Sequence, residues 1–165
     1  MPSSLIASLL ALLLIPTFAQ AHGGETHGTG GIVAHLPAEQ HDWGIAGLEA
    51  KVDREIAITM SDAMRFAPDR LRVRLGETIR FRIANGGRLL HEMVIGTPGA
   101  LAEHAALMKR FPNMVHDSPY MAHVPAGADG TIVWTFNRPG DFEFACLIPG
   151  HFEAGMVGQI QVEAP

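Results

Sequence analysis

Phe142-Glu143-Phe144-Ala145-Cys146-Leu147-Ile148-Pro149-Gly150-His151-Phe152-Glu153-Ala154-Gly155-Met156 contains the chain's single cysteine, a histidine five residues after it and a methionine five residues after that. Phe142, Phe144 and Cys146 share parity, so in an extended strand the sulfur turns to the same side as two aromatic rings. The pocket predicted around it is dry. Such a strand needs a second apolar layer over its rings, and the residues on either side supply strands to build one.

Upstream, Ile56, Ile58 and Met60 alternate with Ala57 and Thr59, and Leu71, Val73 and Leu75 alternate with arginines. Ile79, Phe81 and Ile83 alternate with Arg80, Arg82 and Ala84. These are half-buried strands with one wet face. Ala67-Pro68-Asp69, Gly76-Glu77 and Asn85-Gly86-Gly87 mark the turns between them. His91 to Ile95 reads as a further short strand, Gly130 to Asn137 puts Ile132, Trp134 and Phe136 on one face, and Val157 to Val162 closes the set. From Gly99 to Phe111 the rhythm changes: Leu101, Ala105 and Met108 fall at helical spacing before Lys109-Arg110 and Pro112. Seven or eight short strands with one helical excursion predict an all-β, Greek-key β-sandwich carrying one short helix in an insertion.

The ligand chemistry follows from the residue types. A thiolate, an imidazole and a thioether on one strand end and its loop need a second imidazole to form a His2Cys trigonal site with a weak axial Met, the donor set of copper in electron-transfer proteins. His91, on a strand some 55 residues earlier, can supply it. Soft donors suit Cu(I) and imidazoles are acceptable to Cu(II), so the metal-site candidates are His91, Cys146, His151 and Met156, binding one copper ion. Structural zinc usually wants four strong nitrogen or sulfur ligands, often with paired cysteines. A cysteine nucleophile gives no reason for a methionine ten residues on. Taken singly, His91 reads equally as a strand histidine bonded to backbone, His151 as a turn residue and Met156 as core filler; only the joint spacing defeats those readings.

Asn85-Gly86-Gly87-Arg88-Leu89-Leu90-His91-Glu92, with the Cys146 to Met156 loop, resembles the cupredoxins, the type 1 copper proteins. Met60-Ser61-Asp62-Ala63-Met64-Arg65-Phe66, together with a His-rich leader, looks like the bacterial periplasmic CopI-type copper-tolerance cupredoxins. The resemblance covers about residues 51 to 165. It implies His91, Cys146 and His151 as equatorial ligands and Met156 as the axial one, in an electron carrier or copper-handling protein rather than an autonomous enzyme. Glu92 departs from the pattern of plastocyanins and azurins, where an Asn follows the first histidine.

Composition limits the remaining roles. The formal charge of −5 and the lack of a basic cluster argue against a nucleic-acid partner. Residues 1–21 carry no charged side chain and run through an apolar core to Ala19-Gln20-Ala21, which predicts a signal peptide cut after Ala21, export to the periplasm and no membrane attachment afterwards. A retained anchor is the competing reading. A lone cysteine in an oxidising compartment can form no internal disulfide, and metal ligation would protect it. Residues 22–50, rich in Gly and His and including His22, His27, His35 and His41, predict a mobile or loosely docked leader before a domain spanning 51–165.

Two further groups of donors invite additional copper: the leader histidines, and His104, Met108, Met114, His116, Met121 and His123 in the insertion. Against this, a methionine at helical spacing is more often core. Three functions therefore compete. They are copper tolerance by sequestering or oxidising Cu(I), diffusible electron transfer with a periplasmic cytochrome or copper oxidase as redox partner, and an electron-entry module of a larger copper enzyme.

Overall fold

Side-chain alternation decides which face each strand buries. The computed structural model describes residues 38–112 and 116–164. In it, β1 (Gln40–His41), β2 (Gly44–Ala46), β3 (Arg54–Ser61), β4 (Arg65–Ala67), β6 (Thr78–Asn85) and β9 (Asp129–Thr135) form one sheet, in the order β1-β2-β9-β6-β3-β4. A second sheet takes β5 (Arg70–Arg74), β7 (His91–Gly96), β8 (Met121–Val124), β10 (Gly140–Ala145) and β11 (Val157–Glu163), in the order β5-β11-β10-β7-β8. Two pairs run parallel, β3 with β6 and β5 with β11, while the other pairs are antiparallel. The expected all-β sandwich is present.

Between the sheets lie Trp134, Phe81, Phe136, Phe144, Ile58, Met60, Ile79 and Ile83, each under 2 % exposed. Burying one such side chain fully contributes about 1.5–3 kcal/mol. Gly158, paired with Phe144 across β10 and β11, is required there, because any Cβ would penetrate the Phe144 ring. The arginines alternate outward, where Arg82 Nε meets Glu55 Oε2 at 2.8 Å. Exposed pairs of this kind add little stability.

The predicted helix is α1 (Pro98–Arg110). Thr97 caps it, its Oγ1 accepting from Ala100 N at 3.2 Å, Pro98 opens the first turn, and Lys109 and Arg110 sit in the last turn, where the helix dipole favours cations. Its apolar stripe of Leu101, Ala105 and Met108 covers the outer face of β7 and β10, burying Val94, Ala145 and Leu147 as a second core. Cys146 and its neighbours thus alternate across the sheet, with Ala145 and Leu147 facing the helix and Cys146 facing the sandwich core.

Two expectations shift. Residues 40–46, assigned by composition to the leader, form β1 and β2, pinned by Trp134 Nε1 donating to Trp43 O at 2.9 Å. Strands of two and three residues leave no period to read. Met121 and His123, expected in a loop, lie on β8, which pairs with β7. The leader through residue 37, with His22, His27 and His35, lies outside the described residues.

Candidate metal centre

Three of the four predicted ligands converge: His91, Cys146 and His151 each bring a ligand atom within 4.8 Å of the others. His91 opens β7 and is fully buried, Cys146 follows directly on β10, and His151 hangs half-buried on the loop after it. Cys146 Sγ lies 3.3 Å from His151 Nδ1, and the two imidazole centroids are 4.9 Å apart. Met156, fully buried, ends the same loop.

Backbone bonds hold that loop closed. Cys146 N–H donates to Met156 O at 3.1 Å, Met156 N–H to His151 O at 3.1 Å, and His151 N–H to Ile148 O at 2.9 Å. Gly150 and Gly155 sit at φ +93° and +80°, where a side chain would be strained. From outside, Arg65 Nη1 donates to Ala154 O at 3.1 Å.

His91 is oriented by Asp62, a residue whose role the sequence reading missed. The Asp62 carboxylate faces His91 Nε2 at 3.2 Å and accepts from the backbone N–H of Arg88 and Leu89. Those contacts, with the Arg88 N–H foremost, hold the Asp62 carboxyl below its ordinary range. An ionised carboxylate only accepts, so Nε2 carries the imidazole proton and Nδ1 keeps its lone pair. Gly87 permits this approach, since a Cβ there would collide with the Asp62 carboxylate. Asn85, 2 % exposed, ties the same turn down through Nδ2 to Leu89 O and Val124 O, both at 2.8 Å.

Glu92, the departure noted in the sequence, is 1 % exposed. Its Oε1 accepts the Leu147 N–H at 2.8 Å, binding the residue after Cys146 to the residue after His91. The advance signs of this role were that departure and the placing of an acid directly before the apolar run Met93-Val94-Ile95. Burial pushes its carboxyl up.

The donor chemistry calls for a metal. His91 Nδ1 is buried with no hydrogen-bond partner. Burial pushes the Cys146 thiol up to about 12, with the Glu92 charge adding to the rise and the backbone N–H groups of Glu92 and Ile148 opposing it. Burial, then the neighbouring His91, pushes His151 down, which keeps its imidazole neutral and able to ligate. A bound cation resolves all three conditions by taking the orphan lone pair, stabilising the thiolate and accepting the neutral imidazole.

Comparison with known proteins settles the family, because residues 52–163 match the model of copper binding proteins of the plastocyanin/azurin family. The chain belongs to this family, the cupredoxins. This cupredoxin is 50 % identical over 160 residues to the copper-resistant cuproprotein CopI of Rubrivivax gelatinosus, covering 94 % of each chain. It is 33 % identical over 156 residues to the copper-resistant cuproprotein CopI of Pseudomonas aeruginosa, covering 77 % of this chain and 86 % of that one. Among solved structures, auracyanin B matches with a TM-score of 0.62 at 20 % identity, over 73 % of this chain and 96 % of that one, a likeness of fold alone. The cofactor of this cupredoxin is copper.

The insertion donors divide. His104 Nε2 lies 2.7 Å from His116 Nε2, and the His116 and His123 rings are 5.7 Å apart at right angles. His123 Nε2 reaches to 2.9 Å of Glu92 Oε2, and its Nδ1 is 3.8 Å from Asp117 Oδ1. Burial, then His116 and His123, pushes His104 down. Met108 and Met121, 5 % and 7 % exposed, pack beneath the helix as core, while Met114 lies outside the described residues. His41 stacks on Trp43 at 4.7 Å, with Tyr120 edge-on at 4.9 Å.

Proposed function

We propose that this cupredoxin is a periplasmic copper-tolerance protein that holds one copper ion through His91, Cys146 and His151, with Met156 as weak axial donor, and cycles it between Cu(I) and Cu(II). The convergence of an orphaned imidazole lone pair, a buried sulfur and a half-exposed imidazole within 4.8 Å carries the reading. When bound, copper supplies one-electron chemistry. The protein's part is to fix the donors: Asp62 sets the His91 tautomer, Glu92 and the loop bonds fix the sulfur, and Phe144 and Leu147 keep water out. Ligands that barely move between oxidation states lower the reorganisation needed for electron exchange.

Tolerance, rather than mere carriage, is supported by the resistance named in the CopI relatives and by the His104, His116 and His123 cluster, which offers a second, more open place for copper. The periplasmic location rests on the sequence pattern of residues 1–21. No helix among the described residues is long and apolar enough to cross a membrane.

A diffusible electron carrier is the second reading, favoured by one observation. Leu89 and Leu90, 47 % and 48 % exposed, line a surface hollow with Ile148, Pro149 and His151, giving the imidazole an apolar rim against which a redox partner could dock. Deleting the gene and measuring growth across a copper series separates the two. Sensitivity restored by the wild-type gene but not by Cys146→Ser supports tolerance, whereas unchanged growth with impaired respiratory electron flow supports carriage.

A further inference from the structure

Glu92 has one oxygen on each side of the molecule's copper chemistry. In the register of β7 and β8 it lies directly opposite His123, on the face turned away from the sandwich core and toward the helix. Cys146 occupies the other face. The sulfur and the histidine cluster therefore lie on opposite faces of the sheet, while His116 and His123 share a surface hollow with His151, and Glu92 reaches toward the sulfur through its bond to the Leu147 N–H. Oε1 takes the Leu147 N–H at 2.8 Å, one peptide from Cys146, while Oε2 stands 2.9 Å from His123 Nε2 in an orientation that leaves it without a directed hydrogen bond. A buried carboxylate oxygen lacking a well-directed bond is costly, and a cation on the imidazole it faces would relieve that cost.

We propose that Glu92 is a positioning residue coupling the two places: a soft or borderline cation held by His104, His116 and His123 draws Oε2 toward itself, and through Oε1 this alters the bond to Leu147 beside the sulfur. The inference rests on the reading of the histidine cluster as a second metal site. A cation so placed also neutralises the carboxylate nearest Cys146, which favours the less positive oxidation state there, so filling the cluster raises the reduction potential of the Cys146 centre. A filled cluster thus readies that centre to accept an electron.

Zinc(II) tests this, because it is redox-inert and has low preference for displacing Cu(I) from a thiolate site. With the protein carrying one Cu(I), which is diamagnetic, zinc is titrated while nuclear magnetic resonance follows the Leu147 amide and the imidazoles of His104, His116 and His123. The expected result is that the Leu147 amide shifts on the same saturation curve as the imidazoles, and that the midpoint potential of the zinc-saturated protein is higher. In Glu92→Gln at saturating zinc, the imidazoles still respond and the Leu147 shift falls severalfold. Imidazoles that respond while wild-type Leu147 stays fixed overturn the coupling and leave the second site standing, as does a Glu92→Gln response equal to wild type. Imidazoles that ignore zinc remove the second site and the coupling together. The wild-type titration decides the matter by itself should Glu92→Gln fail to fold.

Discussion

The two groups of donors in this cupredoxin are held in opposite ways. His91, Cys146 and Met156 are fully buried and fixed by a strand start, a strand end and a loop closed on its own backbone bonds. His104, His116 and His123 are each partly open to solvent and sit on a helix, a connecting segment and an edge strand. Enclosure suits an ion that must change charge while its ligands stay still. Partial exposure suits an ion that must come and go, since water can replace ligands one at a time. One fold thus places enclosed and open donors close together, with His116 and His123 sharing a surface hollow with His151.

The sharpest way to break the comparison is Cys146→Ser. Loss of the intense charge-transfer absorption is expected, with copper affinity at the enclosed site falling more than ~100-fold, beyond the 10–100-fold typical of outer-sphere partners. Circular dichroism should still report the sandwich, and retained colour would mean that the sulfur is no ligand.

Enclosure also predicts a pH signature for the metal-free protein. The folded thiol titrates near 12 against an ordinary 9.0, so between those values the unfolded chain has lost a proton that the folded one keeps. Stability is then full below about pH 9 and declines by roughly 1.4 kcal/mol per pH unit above it. Denaturant melts of the apo protein across that window check this against Cys146→Ser, which should lack the slope.

Smaller effects sharpen the contrast. Asp62→Asn removes the ionised acceptor on His91 Nε2 and should cost about 10–100-fold in copper affinity, read by competition with a chelator, with melting little changed. Met156→Leu, close in volume, should destabilise by under about 1.5 kcal/mol while keeping copper and raising the reduction potential, measured by voltammetry. His104→Ala should leave the colour intact and remove only copper bound beyond the first equivalent, counted by metal analysis after dialysis.

Much of this was legible in the sequence, for definite reasons. Period-two alternation in Ile79 to Ile83 and helical spacing in Leu101 to Met108 each declare a buried face, and both became the elements expected. The Cys146 loop was readable because its donors are close in sequence and chemically unusual together. Asp62 was not, because it acts across 29 residues on a ring nitrogen, and an aspartate in a turn is ordinary turn chemistry. The role of Glu92 was hidden likewise: its two contacts come from Leu147 and His123, far along the chain, and only strand register unites them. The strands β1 and β2 were lost because so few residues carry no period.

The hydrogen bond from Cys146 N–H to Met156 O joins the loop's first residue to its last. With its neck pinned, the segment between them behaves as an interchangeable cassette around the fixed His151, since sequence altered on either side of that ligand is absorbed outside the pin. The outward rim can therefore diversify, or be grafted from another cupredoxin, while the two sheets beneath keep their register.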